Sequence, residues 1–181
     1  RWNIPEDHTV LLYLGRMAKE KNLEQLMDQV AEAGQQKVSV LLVGDGPDRE
    51  AVLDYARERG VDVIFTGMVP HKDAPDYYRL GDLFITASTS ETQGLTYFEA
   101  LAAGLPVLCR RDACVEGVVE DGVNGWQYET GEAFSQYLHA FCESGELRQQ
   151  MQQAALASAD HFSAEAFGAA AARLYASVEE D

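Results

Sequence analysis

Two bases, Arg16 and Lys21, and two carboxylates, Glu91 and Glu99, are the side chains whose type and spacing could do chemistry. Arg16 and Lys21 lie five residues apart, just past the apolar run Thr9-Val10-Leu11-Leu12-Tyr13-Leu14 and Gly15. Arginine offers a planar fork of N–H donors and lysine a compact charge, a pair suited to clamping a diphosphate. A solvated basic loop is the plainer reading; clustering of bases at a strand's carboxyl end in an acidic chain favours the clamp. Glu91 and Glu99 bracket Gly94, which opens a run of helix formers that stops at Gly104, with Pro106 just beyond. A glycine turn entering a helix leaves N–H groups unpaired at the positive end of the helix dipole, a seat for phosphate. Acids beside such a seat are costly if they face phosphate, whereas sugar hydroxyls suit them. Glu91 also reads as an ordinary loop acid. Thr96-x-x-Glu99 spells a capping box, so Glu99 stands open between helix cap and ligand.

The elements that must position these residues are apolar strands alternating with helices. Strands are expected at Thr9–Leu14, Val38–Val43, Val61–Phe65, Leu83–Ile85, Pro106–Leu108 and Trp126–Tyr128. Asn22 can cap a helix carrying Leu23, Leu26, Met27 and Val30 at 3.6-residue spacing. Pro47 suits the first turn of a second helix and Gly60 its exit. A short helix is expected near Ala74 to Leu80, a helical turn from Cys114 to Glu120, and two or three amphipathic helices from Glu132 to Val178. This alternation predicts an α/β domain, a doubly wound, Rossmann-like parallel sheet with helices on both faces. Its ligand crevice would lie at the carboxyl ends of the strands, where Arg16, Gly44, Gly67 and Glu91 all fall. Gly44-x-Gly46 resembles half of a dinucleotide fingerprint, but Arg49 stands where the third glycine belongs, and a plain strand-to-helix turn explains it as well. His71 on the rim reads as an exposed loop histidine, and His8, His139 and His161 show no metal-ligand spacing.

At 181 residues and 46% hydrophobic, the chain can bury one good core. Its 30 acids against 14 bases give a formal charge of −16, which repels nucleic acid and anionic lipid and also serves solubility. Three cysteines, Cys109, Cys114 and Cys142, form neither an even set nor a metal-ligand pattern, as expected of a reducing compartment. No apolar run approaches the ~20 residues needed to span a bilayer. The chain begins at Arg1 and is expected to be a piece of something longer.

Taken together, the residues resemble the retaining nucleotide-sugar glycosyltransferases of glycosyltransferase family 4, also called group 1, which have the two-domain GT-B fold. The matching pieces are Gly15-Arg16 with Lys21, Val43-Gly44-Asp45-Gly46-Pro47, Phe65-Thr66-Gly67, and Glu91-x(7)-Glu99 enclosing Gly94-Leu95. Ala103-Gly104-Leu105-Pro106-Val107, running to Asp121-Gly122-Val123-Asn124-Gly125, completes the family's order over nearly the whole chain. The match is to the C-terminal, donor-binding half; the N-terminal acceptor domain has no counterpart here.

The resemblance implies that Arg16 and Lys21 hold the donor diphosphate and stabilise the leaving group, with Glu91 on the hydroxyls of the transferred sugar. It places Glu99 on the nucleotide ribose, the loop around Val69 at the base, and Gly15, Gly44, Gln93, Gly94, Leu95 and Thr96 along the donor. It also implies retention of anomeric configuration, no cofactor and no metal. Members often carry a phenylalanine where this chain has Thr92-Gln93, which leaves the sugar open. Ser90-Glu91-Thr92-Gln93-Gly94-Leu95-Thr96-Tyr97 looks like the glucosyl-diacylglycerol synthases within the family. The expected partner is a nucleotide-diphospho-sugar, such as UDP-glucose, with a lipid or glycan acceptor and no nucleic acid. The expected location is cytoplasmic, any membrane contact being made by the absent domain. Two rival readings remain: a nicotinamide-dinucleotide-binding oxidoreductase domain and a non-catalytic sugar-nucleotide-binding module.

Overall fold

The structure, a computed structural model, describes residue 2, residues 4–89 and residues 94–159. Six strands, β1 (Thr9–Leu14), β2 (Val38–Val43), β3 (Val63–Gly67), β4 (Leu83–Thr86), β5 (Val107–Arg110) and β6 (Gly125–Tyr128), form one sheet. Every pairing is parallel, and the order is β3-β2-β1-β4-β5-β6. The helices are α1 (Leu23–Ala33), α2 (Arg49–Glu58), α3 (Ala74–Tyr78), α4 (Leu95–Ala102), α5 (Gly131–Glu143) and α6 (Gly145–Ala159). The doubly wound Rossmann-like sheet expected from the sequence is therefore present, and its winding reverses between β1 and β4.

Each face of the sheet carries its own core. Leu11, Tyr13, Val40, Leu42 and Ile85 pack with α1, α2 and α5, through residues such as Leu26, Met27 and Phe134. Val10, Leu12, Leu41, Val43 and Phe84 pack on the other face with α3 and α4, through Tyr78, Tyr97 and Leu101. Neighbours along a strand point to opposite faces, so burial of both faces turns β1 and β2 into unbroken apolar runs. Both strands begin and end where the sequence places them. β3 does not: it starts at Val63 and reaches Gly67. The Val61 N–H donates to the Ala56 carbonyl at 2.9 Å, so Val61 closes the exit of α2 rather than opening the strand. Pro47 precedes the α2 N-cap, Asp48, and so sits before the helix's first turn. The expected turn at Cys114–Glu120 contracts to a 3-10 turn at Ala113–Val115, whose entry is held by Asp112 accepting from the Cys114 N–H at 2.9 Å. The sequence beyond Ala159, read as further amphipathic helix, lies outside the described residues. Among the described residues no helix is long and apolar enough to cross a membrane.

The ladder between β1 and β2 continues into the loops beyond them. Gly15 N–H donates to the Val43 carbonyl at 2.9 Å, Met17 N–H to Asp45 at 3.0 Å, and Asp48 N–H back to Met17 at 3.1 Å. The chains lie so close that a Cβ on Gly44 would stand 2.0 Å from the Gly15 oxygen, and one on Gly46 2.1 Å from the Met17 oxygen. The pair Gly44-x-Gly46 thus meets a packing demand between loops. Gly44→Ala is expected to cost about 2–4 kcal/mol in denaturant unfolding, from the clash and its φ of +129° together. Gly60→Ala, at φ +71° with nothing within 4 Å, should cost only about 1–2 kcal/mol.

Candidate functional site

Four of the sequence-expected residues, Gly15, Arg16, Gly44 and Val69, line a single cavity of about 550 Å³ at the carboxyl ends of β1, β2 and β3. The Tyr13 hydroxyl donates to the Arg16 carbonyl at 2.8 Å, and the tyrosine ring lies against Gly15, where a Cβ would be 3.1 Å from its oxygen. The backbone of Arg16 is thereby fixed while its side chain stays exposed and forms no ion pair with a described residue. Asp45, in the same cavity, is already engaged: it accepts from the Gly46 N–H at 2.7 Å and lies 3.5 Å from Arg49. The guanidinium of Arg16 is therefore available to an anion in the cavity.

Lys21 closes a 3-10 turn, Lys19–Lys21, whose N–H donates to the Ala18 carbonyl at 2.8 Å. Asn22 follows in the left-handed conformation, at φ 51° and ψ 41°, as the N-cap of α1. Its side chain makes no capping hydrogen bond. The amide Nδ2 instead donates to the Ala87 carbonyl at 3.2 Å and, at 3.4 Å, to the Thr89 hydroxyl. This ties the loop after β1 to the segment leaving β4.

That segment leads to α4. Gly94, at φ 59°, is the N-cap, and a Cβ there would come within 2.8 Å of the Tyr97 ring. The N–H groups of Leu95 and Thr96 stand in the first turn, where a helix cannot pair its own donors, and Leu95 is 61% exposed. Glu91 and Gln93 lie outside the described residues. The capping box that Thr96-x-x-Glu99 spells, one of the two readings open for Glu99, does not form. Because the left-handed glycine starts the helix at Leu95, Thr96 is its second residue and Glu99 falls in the second turn. There Glu99 Oε2 accepts from the Tyr78 hydroxyl at 2.8 Å, and His71 Nε2 is 4.0 Å from Oε1. Glu99 also lines a second cavity of about 430 Å³ between α3, α4 and α6, with His71, Arg79 and Leu156. The structure thus assembles Gly15, Arg16, Gly44 and Val69 around one cavity and sets Glu99 in another, with the α4 N-terminus beyond β4. Sequence reasoning missed the bonds of Asn22 to Ala87 and of Tyr78 to Glu99. Asn22 was read as a helix cap, and no local pattern marks Tyr78, whose partner is 21 residues away.

The family model described as glycosyl transferases group 1 matches residues 1–157. The chain is 32% identical over 177 residues to the alpha-monoglucosyldiacylglycerol synthase of Acholeplasma laidlawii, covering 95% of this chain and 44% of that protein. It is 36% identical over 129 residues to the enzyme of the same name from Streptococcus pneumoniae, covering 69% of this chain and 29% of that one. The chain thus spans less than half the length of these relatives. Among solved structures, Anabaena HepE in complex with UDP superposes with a TM-score of 0.82 at 22% identity, over 94% of this chain and 49% of that one. At that identity the likeness shows the fold alone.

Burial, reinforced by the bond to Glu99, pushes the Tyr78 phenol far above its ordinary value of 10.0. The fold then keeps this proton where the unfolded chain releases it, so stability is complete below about pH 10 and falls as pH rises further. Tyr78→Phe is expected to cost about 1–2 kcal/mol at pH 7 by denaturant unfolding. It should also flatten the loss of stability between pH 9 and 11, with the raised Tyr128 and Cys109 retaining the remainder of that slope.

Proposed function

The chain belongs to the group 1 glycosyltransferases, and we propose that it is the donor-binding domain of a retaining, metal-independent member that transfers a hexose from UDP-glucose or a close relative. The observation that supports this reading is the cavity that Gly15, Arg16, Gly44 and Val69 line at the carboxyl ends of β1, β2 and β3, beside the point where the winding reverses. Strand order sets β1 beside β4 at the point where the winding reverses, the place where open α/β sheets bind their ligands. The loop after β1 carries Arg16, which lines the cavity, and Lys21, which closes the 3-10 turn that follows. The segment after β4 leads to the unpaired N–H groups of Leu95 and Thr96, and Asn22 joins it to that loop.

In this reading the donor diphosphate lies in the crevice. Arg16 gives it a bidentate contact and Lys21 a point charge, and both gain strength as negative charge grows on the departing phosphate oxygen. The two cations supply the electrostatic stabilisation that a divalent metal gives other enzymes. The N–H groups at the start of α4 contribute further donors, aided by the helix dipole. The nucleobase enters the 550 Å³ cavity past Gly15 and Gly44 toward the backbone at Val69. The family resemblance gives Glu99, which the Tyr78 hydroxyl orients, the ribose hydroxyls, although Glu99 lines the second cavity rather than the one that takes the base. Glu91 and Gln93 take the transferred sugar. The acceptor, a lipid hydroxyl in the manner of the diacylglycerol enzymes or a glycan, would be held by an N-terminal domain of the same protein. That domain would also supply any membrane contact, and this segment alone would transfer little.

The dinucleotide alternative loses its basis. Its glycine fingerprint belongs after the strand at the switch point, whereas Gly44 and Gly46 follow β2, one strand away, and serve backbone contact with Gly15 and Met17. Calorimetric titration of the full-length protein with UDP, GDP, ADP and NADH is the deciding experiment. Selective UDP binding is expected, weakened by about 1.5–3 kcal/mol in Arg16→Ala, the range of a charge-assisted hydrogen bond. Preference for NADH would overturn the proposal, and UDP binding without hexosyl transfer would leave a binding module. Glu99→Gln should weaken UDP by about 1 kcal/mol while leaving pyrophosphate binding unchanged, since only UDP carries the ribose.

A further inference from the structure

We infer that Asn22 is a positioning residue that sets the spacing between the cationic loop and the phosphate seat, an inference that rests on the donor-binding reading above. Three observations on this residue converge. Its backbone is left-handed, a conformation that costs most side chains energy and that asparagine tolerates better than others. As the N-cap of α1 it would ordinarily satisfy a helix N–H, yet no capping bond is made. Its amide spans 65 residues of sequence to donate to the carbonyl of Ala87, a fully buried residue one position past β4.

The place of this bond in the sheet gives it its consequence. β1 and β4 are in register only at Leu11–Leu83 and Leu12–Phe84, and past those pairs the two chains part at the switch point. On its other side the β1 loop is fastened by backbone bonds to the β2 loop, through Gly15, Met17 and Asp48. Asn22 supplies the corresponding tie toward β4, from the residue directly after Lys21 to the segment that ends in the α4 N-cap. A cation held by one wall and N–H donors held by the other must meet the same diphosphate. A relative shift of the order of 1 Å between such groups can cost about a hundredfold in rate.

Asn22→Gly isolates the side chain, because glycine adopts the same left-handed backbone without strain. Asn22→Asp keeps the size and removes the donor, setting a carboxylate against the Ala87 carbonyl. In the full-length enzyme assayed with a UDP-sugar, both variants are expected to lose about tenfold or more in kcat, with donor KM changed less than about threefold and thermal unfolding near wild type. Amide exchange of residues 87–89, measured without ligand, should quicken in both. Wild-type kcat, or unchanged exchange at 87–89, would overturn the inference, as would a loss of kcat matched by unfolding in both variants. Failure of the donor reading shows elsewhere, as absence of UDP binding and transfer in the wild-type protein, and it takes this inference with it.

Discussion

The contact on which the rest of the site depends is one of backbone against backbone, between the loops that leave β1 and β2. Gly15 to Met17 and Gly44 to Asp48 continue the parallel ladder for a full turn beyond the strands. Only hydrogen atoms on Gly44 and Gly46 allow the approach, since any Cβ would sit about 2 Å from a carbonyl oxygen. This contact holds the main chain on either side of Arg16, so that a flexible, exposed side chain springs from a fixed point. It also defines the wall of the cavity that Val69 completes from β3.

The second wall is set by strand order. Parallel strands wound outward in two directions leave β1 and β4 adjacent at their carboxyl ends with no crossover helix between them. In the proposed reading the donor diphosphate lies at this switch point, between the loop that carries Arg16 and the start of α4. The charge of the whole chain, −16, opposes an anionic ligand at long range. Screening confines that field to about 8–10 Å at physiological salt, however, so the net charge does not preclude the proposed anionic donor. Many bases elsewhere are neutralised by acids, as in Lys37 with Asp7, Arg59 with Asp28 and Arg111 with Glu129. Arg16 carries no such partner among the described residues, a placement suited to an external anion.

The fold was legible in the sequence to the extent that burial writes itself into local pattern. β1 and β2 were read to the residue because both their faces are buried and the apolar run has sharp ends. β3 was misread by two residues because every residue in it is only partly buried, which blurs its start, and because Val61 serves the preceding helix. Of the candidate site, the position of Gly15, Arg16 and Gly44 at one cavity was legible, because each follows a strand end. Of the two readings open for Glu99, the capping box is the one that the helix entry excludes. Thr96-x-x-Glu99 has the right spacing, but helix entry is governed by the left-handed Gly94 and the ring of Tyr97 packed against it.

By itself the sequence determined the alternation of strands and helices, the parallel sheet and the residues that stand at its carboxyl rim. Those properties depend on side-chain period, glycine conformation and burial, all of which act over a few residues. Tertiary structure alone decided which rim residues face one another. The bond from Asn22 to Ala87 and that from Tyr78 to Glu99 join residues whose proximity is fixed by strand order and helix packing. Neither could be read locally, because a hydrogen bond depends on the distance between two atoms, and that distance exists only once the sheet has brought distant segments together.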